Sequence, residues 1–164
     1  MPTTFLKGDI LHEASEGTGP RALAFGADCD GTMDTGIAVA VRQRWPAFAE
    51  AYRAHCAGGK FQLGDVFAWR PEGESHLIVY AMGLQSAGAK PKISTFERAA
   101  LAVVSRTEAD GVQRVLLPRI GAGKNGLDWV RVKRILTEIS RGKAANLVVY
   151  EQFVRQAPPT PTDG

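Results

Sequence analysis

The stretch from Arg114 to Trp129, RVLLPRIGAGKNGLDW, constrains this chain more than any other. Val115-Leu116-Leu117 reads as a buried strand, Pro118 stops it, and the glycines Gly121, Gly123 and Gly126 follow before a periodic helix begins at Asp128. Strand, glycine turn and helix start together make an anion-binding geometry. Glycine tolerates positive φ and close approach, and the N–H groups of the turn and of the helix N-terminus point toward negative charge. A phosphate or diphosphate is the natural ligand. The same turn also suits a chain that simply reverses tightly over a sheet, and it lacks the Gly-Lys-Ser/Thr ending of a P-loop.

At 164 residues the chain is long enough for one domain that buries roughly two thirds of its unfolded surface. Apolar content of 45% and charged content of 23% are ordinary for globular proteins and argue against disorder. No run of eighteen apolar residues occurs and the start, MPTTFLKGDI, has no signal-peptide pattern. The expected setting is therefore the cytoplasm, with no membrane partner. Cys29 and Cys56 are too few for a disulfide scaffold and match no zinc spacing, so reduced thiols and no metal are expected. His12, His55 and His76 have no informative partners in sequence. A net charge of +3 is compatible with a phosphate-bearing ligand, but the excess is small and spread out, which makes nucleic acid the weaker choice.

Along the chain, residues 3–11 read as a strand, HEASEGTGP as a turn-rich loop, and residues 21–27 as a strand buried on both faces. Helical spacing follows from Gly36, with Pro46 opening a second helical piece. Residues 65–70 and 76–82 suggest a hairpin, and LQSAGAKPK a loop. A helix capped by Ser94 or Thr95, with Ser94 and Glu97 as a capping box, runs to about Ala109. After the strand at 113–118 come a helix from Asp128 to about Arg141 and a strand at 146–151. The order predicts an α/β/α sandwich on a mixed, largely parallel sheet. One domain over 1–154 is expected, with a disordered proline-rich tail at 155–164. Sheets of this type bind ligands at the carboxyl ends of their strands, so the loops near 10, 27, 83, 118 and 150 should share one cleft.

LKGDI, DTGIAVAV, GDVFAW, PRIGAGKNGLDW and LVVYE, in this order over about residues 4–153, resemble the macrodomain family and, within it, the terminal ADP-ribose protein glycohydrolase branch. The resemblance implies ADP-ribose as ligand, ADP-ribosylated proteins as partners, a monomer, and no required cofactor. It assigns Asp9 to the adenine amino group, with the Ile10 backbone beside it. It places Asp34, Thr35, Gly36 and Ile37 around the distal ribose and diphosphate. Ile120, Gly121, Ala122 and Gly123 match the second phosphate loop, with Lys124 adding charge and Arg119 and Asn125 as further ligand-binding residues, while Tyr150 and Phe153 line the adenine pocket.

The chemistry implied is cleavage at the anomeric carbon of the distal ribose through an oxocarbenium-like state. The branch uses a lysine nucleophile after the VYAM-like strand and an aspartate acid/base beyond the PRIG turn. Here Leu84 or Gln85 stands at the lysine's place and Asn125 at the aspartate's. An amide exchanges no proton at neutral pH, so Gln85 and Asn125 are expected to orient water or ribose hydroxyls. A first-loop aspartate, Asp28 foremost, would supply the carboxylate, with Asp30, Asp34 and Asp128 as other sources. Three readings follow: hydrolysis of mono-ADP-ribose esters on acidic side chains by activated water, non-catalytic reading of ADP-ribose, or nucleic-acid binding.

Overall fold

The computed structural model describes residues 3–33, 36–74, 76–86, 89–121 and 126–155. In chain order its elements are β1 (Thr4–Gly8), α1 (Ile10–Glu16), β2 (Arg21–Asp28), α2 (Ile37–Arg44), α3 (Pro46–Ala57), β3 (Val66–Trp69), β4 (Leu77–Gln85), α4 (Ile93–Asp110), β5 (Arg114–Pro118), α5 (Trp129–Ser140) and β6 (Asn146–Phe153). The strands form one sheet in the order β1-β6-β5-β2-β4-β3, parallel except for the antiparallel pair β3–β4.

Burial explains the order. Residues Leu77–Leu84 of β4 are buried without interruption, as befits a strand covered on both faces, and β2 is nearly so. Two apolar clusters result. Ala22, Ala24, Tyr80 and Met82 face α4 and α5, whereas Leu23, Phe25, Val79 and Ala81 face the α1, α2 and α3 side. The alternation along each strand makes one sheet serve two helical layers, giving the three-layer α/β/α sandwich. Helix α4 buries Phe96, Ala99, Ala100, Val103, Val104 and Thr107 at helical spacing, and Gly111 ends it in the left-handed conformation at φ 69°. Among the described residues no helix is long and apolar enough to cross a membrane.

Three local expectations change. The turn-rich loop after β1 is largely the helix α1, which buries Ile10 and Ala14 four residues apart. It is held at both ends: the Asp9 carboxylate accepts from the His12 N–H at 3.1 Å, and buried Arg21 donates from Nε and Nη2 to the Ala14 carbonyl at 3.0 and 2.6 Å. The capping box at Ser94 does not form, because α4 starts two residues earlier, at Ile93, with Lys92 at its N-cap and no side-chain cap. The strand expected to end at 82 continues to Gln85, so Leu84 belongs to the sheet and is buried. Pro46 does open α3, at its first turn. Residues 156–164 of the expected tail lie outside the described residues.

Candidate ligand cleft

The carboxyl ends of the parallel strands meet two adjoining hollows. The larger, about 330 Å³, is lined by Gly8 at the end of β1, Ile10 and Leu11 of α1, Gly36, Ile37 and Ala40 at α2, Pro118 and Arg119 after β5, and Tyr150, Glu151 and Phe153 of β6. Its surface is mostly apolar. Tyr150 leans across the end of β1, where a Cβ on Gly8 would come within 3.0 Å of the tyrosine Cε1, so glycine leaves room for the ring. Burial pushes the Tyr150 phenol above its ordinary range, and the neighbouring Glu13 and Asp9 charges act the same way. Phe153 stands 63% exposed at the mouth.

Arg119 lies over the Trp129 ring at 5.2 Å, and the indole N–H donates to Glu151 at 3.1 Å. Lys133 approaches the same Glu151 oxygen at 2.9 Å. The Lys133 hydrogen bond, then that of Trp129, holds the Glu151 carboxyl below its ordinary range. Trp129 thus ties the loop after β5 to the wall made by β6, a role the sequence did not single out.

The smaller hollow, about 150 Å³, is lined by residues from Phe25 to Asp28, by Thr32, Met33 and Ala38, and by Leu84, Gln85, Pro91 and Gly121. Asp28 and Gln85 are register partners at the ends of β2 and β4, beyond an irregularity that follows Ala27. The Thr32 hydroxyl lies 2.9 Å from Asp28 Oδ2 and 2.8 Å from Asp30 Oδ1, and its single proton can serve only one at a time. The Thr32 backbone N–H also donates to Asp30 at 3.0 Å and is the main reason that carboxyl is held low. Leu84 is packed against Gly26, where a Cβ would meet the leucine Cδ1 at 2.7 Å. Of the two positions weighed for the lysine, one is therefore a buried apolar floor and the other, Gln85, faces the hollow.

Both hollows share their walls. Gly36 and Ile37 line one and Ala38 the other, so the first turn of α2 divides them. Gly36 adopts φ 58° and makes no side-chain cap, so among the described residues no side chain caps the N-terminus of α2. On the opposite side the loop after β5 passes from Arg119 in the larger hollow to Gly121 in the smaller, while Ile120 between them is buried in the core. Gly121 takes φ 74°, and a Cβ there would lie 2.9 Å from Leu127, which leaves glycine as the residue that fits.

Most expected site residues therefore gather on one edge: Asp28, Gly36, Ile37, Gln85, Arg119, Gly121, Tyr150 and Phe153 line it, as does Ile10. Asp9 caps α1 immediately before Ile10 rather than lining either hollow. Asp34, Thr35, Ala122, Gly123, Lys124 and Asn125 lie outside the described residues. Leu11, Gly26, Thr32, Met33, Ala40 and Pro91 were not foreseen, since only the fold brings these residues to the edge. Among the described residues no group of three or more His, Cys, Asp or Glu could hold a metal ion, and both cysteines are free thiols.

An α/β/α domain with paired hollows at the carboxyl edge of its sheet is a ligand-binding architecture. Its family follows from comparison: residues 25–136 match the model of the Macro domain, and the chain belongs to that family. The DNA ADP-ribosyl glycohydrolase of Mycobacterium tuberculosis is 25% identical over 151 residues, covering 90% of this chain and 41% of its own length. The human ADP-ribose glycohydrolase OARD1 is 26% identical over 147 residues, 90% of each chain. Among solved structures, the macrodomain of Thermus aquaticus DarG superposes with a TM-score of 0.80 at 24% identity, covering 91% of this chain and 97% of that one. The chain thus spans well under half of the mycobacterial relative and nearly all of the human one.

Proposed function

We propose that the paired hollows hold ADP-ribose, free or attached to a protein. The adenine occupies the apolar hollow against Tyr150 and Phe153, and the diphosphate crosses the dividing turns at Gly36 and Gly121, with Lys124 adding charge. The distal ribose enters the smaller hollow beside Asp28 and Gln85. The observation that carries this reading is the shared wall: a nucleotide-sized apolar hollow and a small polar one are joined by two glycine turns, a fitting path for a diphosphate. Calorimetric titration tests it. ADP-ribose should bind with micromolar affinity, AMP more weakly and ribose 5-phosphate more weakly still. No ADP-ribose binding, together with salt-dependent binding of oligonucleotides, would replace it with the nucleic-acid reading.

Hydrolysis is a second reading, supported by the in-register pair Asp28–Gln85 and by the names of the glycohydrolase relatives. Water attacks the anomeric carbon, forming the new C–O bond as the ester C–O bond breaks. The substrate's carboxylate departs with the bonding pair, and Asp28 takes the water proton. A carboxylate leaving group needs no acid, which suits a site where Leu84 and Asn125 replace the branch's lysine and aspartate. Gln85 and Asn125 orient the water and the ribose hydroxyls, and the step uses no cofactor. The assay follows release of ADP-ribose from a glutamate-linked protein. An ADP-ribosylated oligonucleotide belongs beside it, because one relative's name places the modification on DNA. Micromolar binding without release above buffer from either carrier would make the chain a reader.

A further inference from the structure

We propose that the outer edge of β3, walled by α3 and α4, is a second binding site, which takes an extended acidic segment of a partner protein as an added strand. This goes beyond the ADP-ribose reading and uses none of its residues. β3 ends the sheet, so among the described residues no strand pairs with its outer side. Extending its ladder with β4 by one residue sets Asp65 opposite Gly83, whose N–H donates to the Asp65 carbonyl at 2.8 Å. Hydrogen-bonded and open pairs alternate in an antiparallel ladder. The polar backbone groups of Phe67 and Trp69 therefore turn in toward β4, and those of Val66 and Ala68 turn out.

A groove of about 370 Å³ follows this edge, with His55, Asp65, Val66, Arg98, Ala102 and Arg106 on its walls. Helix α4 runs beside β3 in the same direction. Arg98 lies across Gly64, just ahead of the strand, where a Cβ would meet the arginine Cδ at 2.7 Å. Further along, Asp110 accepts from the hydroxyl of Tyr80, the register partner of Ala68. Arg98, Ala102 and Arg106 share one helix face, and small Ala102 leaves space between the two guanidinium groups. Arg98 has no ion-pair partner among the described residues, and Arg106 shares Asp110 with Tyr80 at 3.4 Å. On the other wall His55 stacks on Phe67 at 4.8 Å. The opposing Asp65 is engaged by the Gln62 N–H at 2.9 Å. Asp65 keeps its negative charge at the β3 side, so the positive charge that faces an incoming segment is confined to the α4 wall, at Arg98 and Arg106.

Its dimensions select the ligand. Arg98 and Arg106 are ~12 Å apart along the helix axis. Two residues four apart in an extended segment face the same way at ~13 Å. A segment with acidic residues at i and i+4 can meet both arginines while its backbone pairs with Val66 and Ala68, the usual division between affinity from main chain and specificity from side chains. A lone phosphate or a nucleic-acid strand would engage the arginines and leave the outward backbone groups unused.

The test is anisotropy titration of the full chain with a labelled peptide, Thr-Val-Glu-Val-Thr-Val-Glu-Val-Thr. Micromolar binding is expected, weakened at least ~tenfold when both glutamates are lysine and at least ~tenfold by Arg98→Glu with Arg106→Glu. Ala68→Pro removes an outward N–H and leaves the inward ladder alone, and should weaken binding about tenfold too. Melting temperature and ADP-ribose titration check that each variant folds. Should the proline variant fail that check, the exposed arginine pair decides. No peptide binding overturns the proposal, as does equal binding by the arginine double variant. So does a folded Ala68→Pro that binds normally, or a single-stranded oligonucleotide that binds more tightly than the peptide, since either leaves a simple anion site.

Discussion

The two hollows of the cleft are built from opposite materials. The larger is walled by Ile10, Leu11, Ile37, Tyr150 and Phe153, side chains that bury a ring and do little else. The smaller sets a carboxylate, a hydroxyl and an amide around Asp28, Thr32 and Gln85. Apolar walls gain from any flat ligand they exclude from water, whereas a small polar hollow contributes only when its groups meet particular atoms. In the proposed reading recognition and chemistry are thereby separated along one edge, with the pair Asp28 and Gln85 in the smaller hollow. Loss of that pair leaves the larger hollow untouched, so a reader and a hydrolase can share everything except a few atoms near Asp28.

The sharpest way to break this division is at the wall the hollows share. Gly121→Glu puts a side chain where φ is 74° and Leu127 is already close, and brings a carboxylate toward the proposed diphosphate. ADP-ribose affinity should fall more than ~100-fold, combining backbone strain with charge repulsion. Retained affinity in a folded variant would mean that the turn does not carry phosphate. Next in size, Asp28→Asn keeps shape and removes the base. If the chain is a hydrolase, release should slow about 100-fold while affinity changes less than about threefold. An undiminished rate would move the chemistry to another first-loop carboxylate.

How far these features were visible before the fold is itself a matter of physics. Long apolar runs, such as LIVYAM, declare central strands because burial on both faces removes any alternation, and Gly121 and Gly36 declare turns because no other residue adopts their backbone cheaply. Helix α1 was masked by its brevity: Ile10 and Ala14 are its only buried positions, and the Gly17, Gly19 and Pro20 that follow resemble a loop. Asp9 was legible as important, but whether its oxygens serve a helix N-terminus or a ligand depends on α1 existing. Thr32 and Pro91 reach the smaller hollow from loops whose course no local pattern fixes. The same holds for the groove beside β3, where His55 and Arg98 are distant in sequence and meet only through the sheet edge.

Within the larger hollow the effects are expected to be smaller and to report contact area. Tyr150→Ala should weaken ADP-ribose about tenfold, in line with ~1–3 kcal/mol for stacking of a base on an aromatic side chain. Phe153→Ala, at the exposed mouth, should cost only about two- to threefold, since solvent already reaches one side of the ring. An order reversed between the two would place the base outside the hollow, over Phe153.

The smallest expected effect is one of pH. Burial raises the Tyr150 phenol above its ordinary value, so the ring keeps its proton well past neutrality. In sign, an acid raised by folding stabilises the folded chain fully below the unfolded value, near pH ~10, and this contribution is lost as pH climbs through the folded value. Between pH ~6 and ~9 neither form of the protein ionises this group. ADP-ribose affinity should therefore be flat across that window, and Tyr150→Phe should bind within about twofold of the parent because the ring, not the hydroxyl, makes the contact. A fall in affinity on the alkaline side that Tyr150→Phe abolishes would instead make the hydroxyl a hydrogen-bond donor to the ligand. The apolar hollow would then share the polar logic of its neighbour.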